Sequence, residues 1–118
     1  MKNFLILVSF LLSLMMFSYS TEIPSYASEE EEILILIENA QTPDDHMKIA
    51  EYYEKEAAKM QGLAQNHMKM GDSYNNRSKP WPSMVKNCEE LTQDYSDAAT
   101  EYKSMAQEHQ KMAQEMQQ

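Results

Sequence analysis

Small and large residues recur every seven positions along two long stretches of the chain, and this pattern predicts two long helices. Counting from His46 in alternating steps of four and three gives one row of small residues and one of larger residues, and counting from Cys88 does the same. The small rows are 50, 57, 64, 71 and 92, 99, 106, 113; the large rows are 46, 53, 60, 67, 74 and 88, 95, 102, 109, 116. Because small residues at every seventh position let two helices approach closely, the rows predict a coiled-coil seam.

Start and stop signals set the limits of these helices. Thr42 is a good N-cap, Pro43 suits the first helical position, and two aspartates follow in the positively polarised first turn. Two prolines in "RSKPWPS" (residues 77–83) interrupt the helical pattern. We therefore predict an all-α fold, an antiparallel two-helix hairpin, within residues 42–118. Its elements are a helix at 42–76, a loop at 77–83 and a helix at 83–117.

A third row of apolar residues accompanies the seam on each helix: Ile49, Leu63 and Met70, then Leu91, Met105 and Met112. Folding the hairpin about Trp81 predicts which large residues meet, with a register shifted by one turn as the alternative. The predicted pairs are Tyr74–Cys88, His67–Tyr95, Met60–Tyr102, Tyr53–His109 and His46–Met116. Two of the histidines then face a tyrosine, whose hydroxyl can satisfy an imidazole nitrogen.

The N-terminal segment indicates export. A single Lys2 precedes the apolar run at 4–17, which is too short to span a bilayer and is typical of a secretory signal peptide. We predict a signal peptide at 1–20, with cleavage after Ser20 or alternatively after Ala27. Residues 21–41 then form an acidic tail (21–32) and a short apolar segment (33–40) that we expect to be helical. The mature protein is expected to have no membrane anchor and to be periplasmic in a Gram-negative host, or secreted.

Charge and cysteine content narrow the function classes. The chain carries 19 acidic and 10 basic residues, a formal net charge of −9, which repels nucleic acid. Cys88 is the single cysteine, so no internal disulfide forms, and the acidic Glu89 and Glu90 beside it do not suit a nucleophilic thiolate. No hydrolytic motif is visible, and we expect no enzymatic activity.

One stretch of eight residues occurs twice, as "LAQNHMKM" (63–70) and "MAQEHQKM" (105–112). The repeats are six heptads apart, so packing of the seam explains most of the duplication. Metal binding is the alternative, because imidazole and thioether ligands suit Cu(I). The antiparallel fold places His67 and His109 in different layers, about 20 Å apart along the axis. The candidate copper ligands are instead His46, Met112 and Met116, with His109 as a fourth ligand from the next layer.

A two-helix hairpin buries little apolar surface, so the sequence favours association as the function. We expect a non-enzymatic exported protein that acts through self-association or through binding another exported protein. Dimerisation of two hairpins into a four-helix bundle would complete the core. Periplasmic Cu(I) binding or buffering through His and Met side chains is the alternative function.

The motifs "TPDDH", "YY", a mid-chain Cys and Leu/Met-Ala-x-x-His together resemble those of a family of small exported bacterial proteins of unknown function. The likeness covers about residues 42–113. It implies a helical hairpin behind a signal peptide and implies no activity. The matching residues are Thr42, Pro43, Asp45, His46, Tyr52, Tyr53, His67, Cys88, Leu91, Tyr95, Ala99 and His109. That family often has His directly before the Cys, where this chain has Asn87.

Overall fold

Three helices make up the part of the chain that the structure, a computed structural model, describes: residues 25–118. They are α1 (Ser25–Asn39), α2 (Pro43–Asn75) and α3 (Pro82–Glu115). Residues 25–118 contain no strand, which confirms the all-α prediction for this range. None of these helices is long and apolar enough to cross a membrane. The predicted signal peptide at 1–20 lies outside the described residues.

Helix α1 begins earlier than the sequence predicts. A polar tail is expected over 21–32, but the chain is helical from Ser25 onwards. The reason is local: the four glutamates at 29–32 are good helix formers, and neither Gly nor Pro interrupts residues 25–39. At the end of the helix, the Asn39 side-chain amide donates to the Ile35 carbonyl at 2.8 Å. The predicted helicity of the segment at 33–40 is confirmed as far as Asn39.

A capping box starts α2 at the predicted place. The Thr42 hydroxyl accepts a hydrogen bond from the Asp45 amide at 3.2 Å, and the Asp45 carboxylate accepts one from the Thr42 amide at 2.9 Å. The same carboxylate also accepts from the Gln41 amide at 3.1 Å. These bonds, with the one from Gln41 foremost, lower the pKa of Asp45. The start of α2 is therefore fixed by satisfied backbone donors and an ionised carboxylate.

Stacked side chains organise the turn between α2 and α3. The Tyr74 and Trp81 rings stack with centroids 5.8 Å apart, and the Arg77 guanidinium lies 4.0 Å from the centre of the Trp81 ring. The Trp81 amide donates to the Tyr74 carbonyl at 3.4 Å. Pro82 then opens α3, one residue before the predicted start at 83, because its fixed φ suits the first helical position. Tyr74 therefore contacts Trp81, a partner that the pairs predicted from the sequence do not include.

The small residues form the buried seam between α2 and α3, as the heptad pattern predicts. On α2 the buried members are Ala50, Ala57, Ala64 and Gly71; on α3 they are Ala99, Ala106 and Ala113, with Cys88 from the large row. The helices lie close together near the turn, where a Cβ built on Gly71 would lie 3.3 Å from the Cys88 Cβ. Close approach of the two backbones is what the small row permits.

Large side chains of the two helices interleave along the seam and do not face each other one to one. Tyr53 contacts two residues of α3 that are one heptad apart: Tyr102 at 6.0 Å between ring centroids and His109 at 5.9 Å. Near the turn, His67 stacks on Tyr95 at 5.4 Å. The predicted pairs Tyr53–His109 and His67–Tyr95 are therefore confirmed. The prediction of single facing pairs is incomplete, because Tyr53 contacts two residues of the opposite helix.

Overpacking the seam should destabilise the hairpin. Ala57 is 2% exposed, so a leucine at this position has to force the helices apart. We expect Ala57→Leu to lower the free energy of unfolding by about 1–3 kcal/mol. Ala58→Leu is the matched control, because Ala58 is exposed on the same helix. Urea denaturation of both variants measures the difference, and an Ala57→Leu protein as stable as the control would contradict a close-packed seam.

The two glycines of α2 should respond oppositely to alanine. Nothing lies within 4 Å of a Cβ built on Gly62, so Gly62→Ala should raise the free energy of unfolding by about 0.5–1 kcal/mol through helix propensity alone. At Gly71 the 3.3 Å contact with Cys88 requires the neighbouring helix to shift. Gly71→Ala should therefore gain less than Gly62→Ala or lose stability. Thermal denaturation compares them, and an equal gain in melting temperature would show that the helices are not tightly opposed at Gly71.

Candidate metal centre

Two histidines meet at the open end of the hairpin, opposite the turn. His46 lies in the first turn of α2, where its amide donates to the Thr42 carbonyl at 3.2 Å. His109 lies in the last two turns of α3, in the same large row that carries Tyr102. The capping box fixes the start of α2, so the backbone that carries His46 is held in place.

The ring nitrogens of the two histidines are in direct contact. His46 Nδ1 lies 2.9 Å from His109 Nδ1, with ring centroids 5.2 Å apart and the planes tilted by 32°. At this distance one Nδ1 donates and the other accepts, which requires opposite tautomers of the two neutral rings. Both rings are half-buried, so the contact is partly shielded from water. The sequence predicts His109 as a ligand from the layer next to His46, whereas the structure places the two rings against each other.

The interleaving of large side chains along the seam explains why the two histidine rings meet. Tyr53 lies between Tyr102 and His109, and His46 lies one heptad before Tyr53. His46 contacts His109, and Met116 follows His109 by one heptad in the same row of α3, so the same stagger predicts that Met116 lies on the other side of His46. A register search that allowed each residue two partners would have found the histidine pair from the sequence.

The two candidate methionine ligands follow His109 along α3. Met112 is one turn further on and 41% exposed, and Met116 is the C-cap residue and 47% exposed. Met116 belongs to the large row of His109, and Met112 belongs to the neighbouring third row. The structure therefore brings His46 and His109 together and places both thioethers within two turns of the pair.

The surroundings of His109 favour its neutral imidazole. Partial burial and, after it, the neighbouring His46 ring lower the pKa of His109, while the Glu108 carboxylate opposes them. A neutral ring carries a lone pair on one nitrogen, which is the form that binds metals. Beside the pair, the Asp44 carboxylate forms a 2.6 Å ion pair with Lys48, a contact that raises the pKa of Lys48. This end of the hairpin thus carries several carboxylates close in sequence to the histidine pair.

The third histidine lies elsewhere, as predicted. His67 stacks on Tyr95 with an interplanar angle of 16°, in a layer nearer the turn than the His46–His109 pair. His67 Nδ1 is buried and has no hydrogen-bond partner among residues 25–118, so the facing tyrosine hydroxyl does not satisfy this nitrogen. Parallel stacking is the reason, since it brings ring faces together and leaves the edge nitrogen unpaired. The duplicated octapeptide therefore does not supply one shared two-histidine site.

Cys88 is packed into the seam. Its side chain is 5% exposed and forms no disulfide. Its Cβ faces the backbone of Gly71, which fits a small apolar residue of the interface. Among residues 25–118, no three His, Cys, Asp or Glu side chains converge in a way that could hold a metal ion. The candidate ligand set is accordingly two imidazoles and thioethers.

Comparisons with known proteins add no relative. Scans against protein-family models, curated proteins and solved structures found no match to this chain.

Lowering the pH should destabilise the hairpin, because His109 takes up a proton less readily in the folded state than in the unfolded chain. Its folded pKa lies below the ordinary value of 6.5, so the unfolded chain takes up this proton first as the pH falls. The contribution of His109 to stability is therefore complete above pH 6.5 and is lost as the pH decreases through its lowered pKa. With a metal chelator present, the urea midpoint should be lower at about pH 5 than at about pH 7.5. His109→Gln should reduce this difference, and an unchanged pH dependence in the variant would assign it to other groups.

Proposed function

We propose that the protein acts without catalysis, through association of its hairpin with a second copy to form a four-helix bundle. The observation that carries the proposal is a row of large apolar side chains left exposed along α3. These residues are Met84, Leu91, Met105 and Met112, which are 38%, 37%, 39% and 41% exposed. They recur at heptad spacing, and an apolar row of this kind marks an interaction surface.

The row on α3 has a counterpart on α2. In an antiparallel pair, third rows that occupy the same heptad position lie on the same side of the seam. The α2 row runs through Ile49, Glu56, Leu63 and Met70. Ile49 and Glu56 are buried, Leu63 is half-buried and Met70 is 42% exposed. The two rows therefore form one face of the hairpin, the apolar face, which is open along α3 and at the turn end of α2.

The composition of the seam explains why this face needs a partner. The interface between α2 and α3 is made chiefly of alanines, whose burial contributes little compared with that of Leu or Met. Burying the apolar face would add large side chains to the core at roughly 25 cal/mol per Å² of apolar area. A two-fold axis through the face brings each α3 row against its copy, which gives a four-helix bundle with closed symmetry.

Electrostatic repulsion opposes this association, so the response of the dimer to salt shows what holds it together. Each copy has a formal net charge of −9, so two copies repel each other. Salt screens this repulsion over a Debye length of about 10 Å at 0.1 M. Dimerisation driven by apolar burial should therefore strengthen with added salt, whereas a dimer held by ion pairs would weaken.

Sedimentation equilibrium of the full chain at tens of micromolar, at low and high salt, tests the proposal. We expect a dimer that tightens with salt and that the double variant Leu91→Gln, Met105→Gln dissociates, because both changes remove apolar area without altering the charge. Met68→Gln is the matched control, since Met68 is 52% exposed and outside the apolar face. A wild-type monomer under both conditions, or equal weakening by the control, would refute association through this face.

A further inference from the structure

We propose that the open end of the hairpin binds one Cu(I) ion through His46, His109, Met116 and Met112. The contact that carries the proposal is the 2.9 Å separation of the two Nδ1 atoms. Nitrogens from the two helices converge at one point, and thioethers follow on α3.

The spacing of the nitrogens suits a shared metal. Two nitrogens bound about 2.0–2.1 Å from one ion at a tetrahedral angle lie about 3.3 Å apart. The observed 2.9 Å therefore has to widen by less than half an ångström, which small rotations of the two side chains supply. A linear two-coordinate ion needs about 4 Å between the nitrogens, so the geometry favours an ion that takes further ligands.

Binding requires only a change of tautomer. In the hydrogen-bonded pair, one ring carries its proton on Nδ1 and the other on Nε2. When the first ring moves its proton from Nδ1 to Nε2, both Nδ1 lone pairs become available, and no net proton is released from the neutral pair. The ion then replaces the shared proton between the rings, and both Nε2–H groups remain donors.

The stagger of the seam directs Met116 to the same point. Tyr53 lies between Tyr102 and His109, and His46 is by the same rule flanked by His109 and Met116. Met112 is one turn from His109 and extends the thioether set on the neighbouring row. Methionines that merely fill a core are buried, but these two are 41% and 47% exposed, so packing does not account for them.

The donor set selects the metal. Thioethers are soft ligands, and together with imidazole they suit Cu(I), whereas Mg²⁺, Ca²⁺ and Mn²⁺ prefer carboxylate and carbonyl oxygens. All four donors are neutral, so the site holds one positive charge after binding. The N-terminus of α2 disfavours a cation, but the negative C-terminal end of α3 lies beside it, and Asp44, Asp45 and Glu108 add carboxylates nearby. The local field therefore tolerates a monovalent ion.

An anaerobic competition titration tests the site. The full chain is titrated against Cu(I) held by the chromophoric chelator bicinchoninate, and we expect the protein to withdraw one equivalent per chain. His46→Ala and His109→Ala should each weaken Cu(I) binding by about tenfold or more. Met112→Ala and Met116→Ala should weaken it less. His67→Ala and Met68→Ala are matched controls that should leave the affinity unchanged, because these residues lie in other parts of the hairpin.

Several results would overturn the proposal: no competition by the wild type, full competition by the His46→Ala, His109→Ala double variant, or equal losses in the His67→Ala control. Circular dichroism of each variant identifies any that lose helicity. X-ray absorption of the wild-type copper complex is a readout that does not depend on variants, and it should show nitrogen and sulfur around Cu(I). A copper coordination shell that lacks either nitrogen or sulfur would refute the proposed set of ligands. The double variant Leu91→Gln, Met105→Gln keeps all four ligands and should still withdraw one equivalent of Cu(I) per chain, so failure of the association and failure of the copper site can be told apart.

Discussion

The close approach of α2 and α3 through their small residues is the constraint on which the rest of the structure depends. Ala50, Ala57, Ala64 and Gly71 leave no side-chain bulk between the backbones, and Ala99, Ala106 and Ala113 do the same from α3. At this separation the large residues cannot meet head to head in the seam. They interleave instead: Tyr53 contacts Tyr102 and His109, and His109 contacts Tyr53 and His46.

This alternation decides where chemistry is placed. It stacks His67 on Tyr95, where the ring is an aromatic packing residue with a buried, unpaired Nδ1. At the open end, the same alternation sets His46 against His109 with both Nδ1 atoms in contact. The two histidines of the duplicated octapeptide therefore differ in role although their local sequences agree. Their position along the seam, and not the motif around them, determines which partner each one meets.

The sequence predicted the features that depend on local signals and on heptad spacing. Thr42 and Pro43 located the start of α2, Pro82 located the start of α3, and the small rows identified the buried seam. The stagger was not predictable from single facing pairs, because it depends on how the large side chains pass one another at a given helix separation. For that reason the sequence places His109 one layer from His46, whereas the two rings are in contact.

The start of α1 was missed for a different reason. The acidic residues at 21–32 suggest a polar tail, but a run of glutamates is compatible with a helix when no Gly or Pro interrupts it. The charge of a segment indicates that it is solvated, whereas its secondary structure follows from helix propensity and from capping. Capping matters in the same way at Asp45, which closes the capping box of α2 through two hydrogen bonds with Thr42.

Met112 belongs both to the apolar face and to the proposed copper site. It belongs to the exposed apolar row of α3, and it lies one turn from His109 on the side of the candidate copper site. Its thioether can face a second hairpin or a metal ion, and a side chain engaged by one is less available to the other. If both proposals hold, the free energies of dimerisation and of copper binding are coupled, and the coupling has the same magnitude in both directions. The sign follows from the position of Met112: since it is the shared residue, copper binding should weaken the dimer, and dimerisation should weaken copper binding. Sedimentation of the copper-loaded chain beside the metal-free chain measures this coupling, and identical dimer constants would show that Met112 serves only one of the two surfaces.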